Sequence, residues 1–163
     1  MRKLVLLSIV WISLLTGYSQ EKMYIHKSDK MTLGALISET DSIYFSSDET
    51  ISYFRIGDSL MEYPVNEIDS LTFGPDSDTV FVIYNGEDVS VINPLAFQGV
   101  HVSVEGSDVT VNAVTELQDI NFCLSGTTSN GMFKIYTAKK YNLILDGVSI
   151  TNPDGPAINV QTG

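Results

Sequence analysis

From Tyr141 to Val160 the chain reads YNLILDGVSITNPDGPAINV. Apolar and polar residues alternate with a period of two, turn at Gly147, alternate again and turn at Asn152–Pro153–Asp154–Gly155–Pro156, the pattern of half-buried strands joined by tight turns. The pattern recurs upstream. FVIYNG (81–86), HVSVEG (101–106), NFCLSG (121–126) and NLILDG (142–147) place glycines at 86, 106, 126 and 147, a spacing of 20 to 21 residues. Val82, Val102, Phe122 and Leu143 share one apolar column, and Tyr84, Val104, Leu124 and Leu145 a second. Asn85, Glu105, Ser125 and Asp146 fill the polar position before each glycine, and a second short strand follows each (VSV 89–91, VTV 109–111, FKI 133–135, VSI 148–150). Such a period predicts an all-β solenoid, a parallel β-helix over 79–163, with the two columns stacked inside and glycine relieving positive φ at the corners. An antiparallel sandwich is the alternative, since hairpins also space their turns regularly, but it does not require the same column chemistry in every repeat.

The N-terminal part repeats differently. MYIHKSDKMTLGALISETDSIYF (23–45) and ISYFRIGDSLMEYPVNEIDSLTF (51–73) align without a gap at a spacing of 28 residues, with Glu39/Glu67, Asp41/Asp69, Ser42/Ser70 and Phe45/Phe73 in step. Each reads as strand, polar turn, strand, short acidic turn and strand, and the Asp-Ser pairs read as turn chemistry. The organisation expected is a β-rich module over 20–74, a linker at 75–78 inside the break Gly74-Pro75-Asp76-Ser77-Asp78, and the solenoid over 79–163. The chain stops at Gln161-Thr162-Gly163 directly after a strand, without a polar cap, so the solenoid is expected to be truncated at its C-terminus.

Ahead of this lies MRKLVLLSIVWISLLTGYSQ. Arg2 and Lys3, a short apolar run and Gly17-Tyr18-Ser19 are the three parts of a secretory signal peptide covering residues 1–19, too short to span a bilayer comfortably; a membrane anchor is the alternative. The expectation is a secreted or cell-surface protein with no membrane span once the signal is removed. Without Arg2 and Lys3, 7 basic residues face 20 acidic ones, a formal charge of −13, and no lysine or arginine lies between Arg55 and Lys134. Nucleic acid and anionic membrane surfaces are therefore poor direct partners. Cys123 is the only cysteine, which rules out an intrachain disulfide.

The run DINFCLSGTTSNGMFKIYTAKKYNLILDGVSITNPDGPAINVQTG (119–163) resembles the opening coils of exported bacterial carbohydrate-binding-domain-containing proteins. The resemblance implies a right-handed parallel β-helix similar to pectate lyases, binding to plant cell-wall polysaccharide including acidic pectic chains, and calcium sites. The N-terminal pattern MYIHKSD…EIDSLTF is similar to short modules that follow the signal peptide in secreted proteins of gut-type Bacteroidetes. Non-catalytic binding of an extracellular polysaccharide is the function this implies. A pectate-lyase-like enzyme with its active site in further coils, or a surface adhesin in which the solenoid is a spacer, are the alternatives.

The candidate chemistry is sparse. Tyr136 and Tyr141, with Phe133, could present a small aromatic patch for a sugar's C–H face, and Phe97 another. Lys139 and Lys140 precede a strand; a basic residue is what a uronate lyase needs to take the proton α to the carboxyl, though solvated turn lysines are commoner. His101, Ser103 and Glu105 share one face of one strand, poor geometry for a nucleophile, base and orienter. Cys123 has no basic neighbour to lower its pKa and reads as a packing residue. Calcium would let an acidic chain hold an acidic sugar, and Asp146, Asn152 and Asp154, with Asn159 nearby, offer oxygens of the right type. Two carboxylates without a third are a weak calcium site.

Overall fold

The structure, a computed structural model, describes residues 21–162, so the signal-peptide reading at 1–19 lies outside the described residues. The N-terminal half has two units. The first runs β1 (Glu21–Lys27), β2 (Met31–Leu36), a 3-10 turn (Ile37–Glu39) and β3 (Thr40–Phe45); the second runs β4 (Ile51–Ile56), β5 (Ser59–Pro64), a 3-10 turn (Val65–Glu67) and β6 (Ile68–Pro75). The two units exchange their third strands. β6 pairs antiparallel with β1, and β3 pairs antiparallel with β4, so each unit's last strand completes the other's hairpin. Backbone bonds across the exchange are reciprocal: Ser28 N donates to Glu67 O at 3.0 Å, and Gly57 N donates to Glu39 O at 2.7 Å.

Pairing also settles the repeat's register. Met23 and Ile25 sit opposite Phe73 and Leu71, as Ser52 and Phe54 sit opposite Phe45 and Ile43. The first strands therefore correspond at 29 residues, while the rest corresponds at 28 (Met31 to Ser59), because the first hairpin turns through Ser28–Lys30 and the second through Gly57–Asp58 alone. A shift of one residue in a strand exchanges its two faces, and this one keeps Met23, Ile25, Phe54 and Ile56 together in a buried cluster with Ala35. Asp41 and Asp69 are skipped in the pairing of β3 and β6. They are bulge residues inside strands rather than turn residues.

The remaining strands are β7 (Thr79–Asn85), β8 (Asp88–Asn93), β9 (Val100–Glu105), β10 (Asp108–Ala113), β11 (Ile120–Thr128), β12 (Met132–Thr137), β13 (Tyr141–Ile150) and β14 (Ile158–Gln161), with a 3-10 turn at Ala96–Gln98. Three sheets result. A seven-stranded sheet runs β13-β11-β7-β8-β2-β1-β6, a four-stranded sheet β14-β12-β10-β9, and a three-stranded sheet β3-β4-β5. The main core fills the space between the first two. Val80, Val82, Phe122 and Leu124 from the larger sheet meet Val109, Val111, Phe133 and Ile135 from the smaller one, and the rings of Phe122 and Phe133 lie 6.2 Å apart. Tyr84 is buried among them and stays tolerable there because its hydroxyl donates to Met132 O at 2.9 Å.

The parallel β-helix is not what forms. The sheets are mixed, and β7–β8 and β9–β10 are antiparallel hairpins. β9 and β11, expected as successive coils, belong to different sheets. Val82 pairs with Leu124 rather than Phe122, and Leu145, expected inside, is 57% exposed on the outermost strand of its sheet. Of the two expected columns only Phe122–Leu143 and Leu124–Leu145 are direct partners, both between β11 and β13. The physical reason lies in the glycines. Gly86 and Gly106 each open a two-residue hairpin loop with positive φ, whereas Gly126 and Gly147 lie within strands. The 20-residue column therefore superposes two different backbone roles.

Lys22 joins the two halves. It is fully buried, and its Nζ lies 2.6 Å from Asp76 Oδ1 and donates to Ser77 O and Gln98 Oε1 at 3.2 Å each. Lys22→Met should lower the unfolding free energy by about 3 kcal/mol, the lower end for breaking a buried pair because the Asp76 side chain keeps some contact with water. Urea titration of the single variant and of Lys22→Met/Asp76→Asn checks this, the double variant losing less. A second expectation concerns Gly126, where an added Cβ would collide with the Tyr84 carbonyl at a φ of +82, while at Gly86 it would meet open space. Gly86→Ala should cost about 1–2 kcal/mol and Gly126→Ala roughly twice that or more, read from denaturation midpoints.

Candidate functional site

Alternation along the four-stranded sheet sorts its residues cleanly. Val109, Val111, Phe133 and Ile135 point into the core, which leaves the intervening residues on the solvent face. The pairing registers align these into two rows across all four strands. One row is His101–Asn112–Tyr136–Gln161, and the other is Ser103–Thr110–Lys134–Asn159. Each row spans about 14 Å, with the rows about 7 Å apart, so the face carries amides, hydroxyls, one imidazole, one ammonium and the Tyr136 ring. The Lys134 Nζ lies 4.8 Å from the centroid of the Tyr136 ring, within cation–π range, and the Gln161 amide donates to Asn159 Oδ1.

The Asn112–Tyr136 end of the face opens into a shallow groove of about 250 Å³ whose walls include Glu116, Thr137 and Lys139. Lys139 Nζ donates to Glu116 Oε2 at 2.8 Å, and this hydrogen bond, followed by the lysine's charge, holds the Glu116 carboxyl below its ordinary value. Thr137 Oγ1 accepts from Lys139 N at 3.1 Å and fixes the start of the loop. The groove is smaller than the pockets that enclose small molecules.

Of the residues singled out from the sequence, Tyr136 and Lys139 meet here. Lys140 is solvent-exposed in the β12–β13 loop. Tyr141 instead packs edge-on against Phe122, with ring centroids 5.8 Å apart, and Phe133 is fully buried; both serve the core. Phe97 packs on the N-terminal cluster. His101, Ser103 and Glu105 take successive outward positions on β9, about 7 Å apart, beyond hydrogen-bond reach of one another. Asn112, Thr110, Lys134 and Gln161 were not recognised from sequence. Their signal is the polar half of each alternation, which becomes a surface only when the strand registers are known.

The oxygen donors proposed for calcium are spread over β13 and the loop after it. Asp146 is the bulge residue of β13, skipped where Leu124 pairs with Leu145 and Ser125 with Gly147. Asn152 Oδ1 accepts from Asp154 N at 3.1 Å while its Nδ2 donates to Pro156 O at 3.1 Å, so this side chain closes its own loop. Among the described residues no three His, Cys, Asp or Glu side chains come together in a metal-holding group.

Cys123 lies on the outer face of β11, partly covered. Burial, and then the negative charge of Asp146, pushes its thiol above the ordinary value. Residues 105–163 match the model of a family described as "Carbohydrate-binding domain-containing protein". The matched stretch begins at the last residue of β9 and takes in β10 to β14, hence three strands of the polar face and its groove. No curated protein and no solved structure matches the chain. Alkylation of Cys123 by iodoacetamide at pH 8 should be slower than that of a free thiol, and Asp146→Asn should speed it by lowering the thiol pKa; a rate series against pH checks both.

Proposed function

We propose that this chain is an exported protein that binds extracellular polysaccharide through the solvent face of its four-stranded sheet and the adjoining groove. The observation that supports this is the coincidence of the carbohydrate-binding family match with a two-row polar face bearing Tyr136. A polysaccharide offers hydroxyls on its edges and C–H groups on its ring faces. Amides and hydroxyls in register can meet the former, and the Tyr136 ring the latter. Export is the meaning given to residues 1–19.

Glycans bearing carboxylates are the favoured class of ligand. Beyond Arg55 the only lysines are Lys134, Lys139 and Lys140, and there is no arginine. Lys134 stands on the face and Lys139 lines the groove. Lys139 is already paired with Glu116, so among the described residues Lys134 is the cation of the face that no carboxylate engages and that a uronate would meet.

Affinity electrophoresis of the chain lacking residues 1–19, in gels containing polygalacturonate or a neutral galactan, tests this. Retention should be stronger with polygalacturonate and should fall as salt is raised. Tyr136→Ala and Lys134→Ala should each weaken it about tenfold, equivalent to about 1.4 kcal/mol. Retention by neither polymer, or equal retention of wild type and both variants, overturns the assignment.

A further inference from the structure

The exchange of third strands makes the two halves of the N-terminal module comparable position by position. On the outer side of β1, β2 and β6, Tyr24 donates to Pro75 O at 2.9 Å. His26 there lies 3.0 Å from Thr32 Oγ1 through Nδ1 and 2.8 Å from Thr72 Oγ1 through Nε2. That face is closed by its own hydrogen bonds. The corresponding positions of β4, β5 and β3 carry Tyr53 for Tyr24, Arg55 for His26, Leu60 for Thr32 and Tyr44 for Thr72.

There the chemistry is open. Tyr44 and Tyr53 are cross-strand partners whose rings stack at 4.9 Å and 12°, and Tyr44 is 41% exposed. Glu62 sits opposite Tyr53 on the far side, and Arg55 is one outward position along the same strand. Among the described residues no hydrogen bond or ion pair engages the two hydroxyls, the guanidinium or the carboxylate. A cross-strand aromatic pair would stabilise the sheet wherever it stood. That alone does not account for an arginine and a glutamate left free beside it, on the one half of a duplicated scaffold that is not self-satisfied.

We propose that the outer face of the three-stranded sheet is a second glycan-contact site, in which the tyrosine pair receives the C–H face of a uronic-acid ring. The electron-rich ring face attracts the weakly positive C–H groups. Arg55 takes the sugar carboxylate with two parallel N–H donors, and Glu62 accepts from ring hydroxyls. Charge complementarity favours this occupant: Arg55 has no ion-pair partner among the described residues, so a uronate carboxylate gains a charge-assisted contact that a neutral ring lacks. The site lies outside residues 105–163 and shares no residue with the four-stranded face, and it rests on the polysaccharide-binding function proposed above.

The test uses the chain without residues 1–19 in polygalacturonate gels, with Tyr44→Ala, Arg55→Ala and Tyr44→Phe, each alone and combined with Tyr136→Ala. Tyr44→Ala and Arg55→Ala should each weaken retention about fivefold or more, Tyr44→Phe should leave it near wild type, and the combined variants should lose more than either part. Arg55 is exposed and has no partner among the described residues, so its variant is expected to fold, which circular dichroism of every variant checks. If Tyr136→Ala weakens retention while Arg55→Ala and Tyr44→Ala do not, the second site is overturned and the first stands. If only the Tyr44 and Arg55 variants weaken it, the second site stands and the first falls. Absence of retention in the wild type overturns both.

Discussion

The buried ammonium of Lys22 is the constraint around which the two halves of this chain are arranged. A lysine with no contact to water is tolerable only where its charge is paired and its donors are met. Asp76, the Ser77 carbonyl and the Gln98 amide oxygen supply this from two separate segments, the β6–β7 connection and the 3-10 turn before β9. Asp76 also lines a cleft of about 550 Å³ with Asp78, Gln98 and Gln118, so the ion pair sits beside a concave surface at the junction. Sheet hydrogen bonding runs past the same place: β2 pairs in parallel with β8 through Met31–Val91, Thr32–Ile92 and Leu33–Asn93. Composition shifts at Gly74–Asp78, yet one seven-stranded sheet draws strands from both sides of it.

Bulges carry out a second task, that of aiming side chains. Asp41 and Asp69 absorb one residue each at the start of the exchanged strands, which restores the in–out alternation needed to bring Tyr44 beside Tyr53 and Thr72 beside His26. Asp146 does the same in β13 and thereby places a carboxylate near the Cys123 thiol. In each case the aspartate is the unpaired residue. A short polar side chain tolerates that irregular backbone well, which gives these acids a structural reason independent of any ligand.

How much of this was legible in the chain differs by element. Strand positions were, because a period of two is a local property and Val109, Val111, Phe133 and Ile135 obey it. Sheet membership was not. The glycine column put Gly86 and Gly106, which turn hairpins, in line with Gly126 and Gly147, which lie inside strands, and a one-dimensional pattern cannot separate these roles. The N-terminal duplication was visible in ISETDSIYF and VNEIDSLTF, but the one-residue difference in hairpin length was hidden by a gapless match. Tyr136 and Lys139 were found by residue type, whereas Tyr141 and Phe133 failed on the same criterion because type does not report which face is buried. Asn112 and Lys134 acquire meaning only from the register that sets one beside Tyr136 and the other beside Thr110.

The exchange of third strands also dictates the order in which this chain can mature. β1 and β2 can close their hairpin early, but the other edge of β1 waits for β6, with Glu21 opposite Pro75. Nor can β3 pair until β4 has been made. Until β6 exists the first unit has an unpaired edge beside Met23 and Ile25, and each unit supplies the edge that the other lacks. Loop closure on that scale slows assembly and leaves open strand edges available to neighbouring chains in the interval. Duplication here yields a single interlocked clasp, in which neither copy is a folding unit by itself.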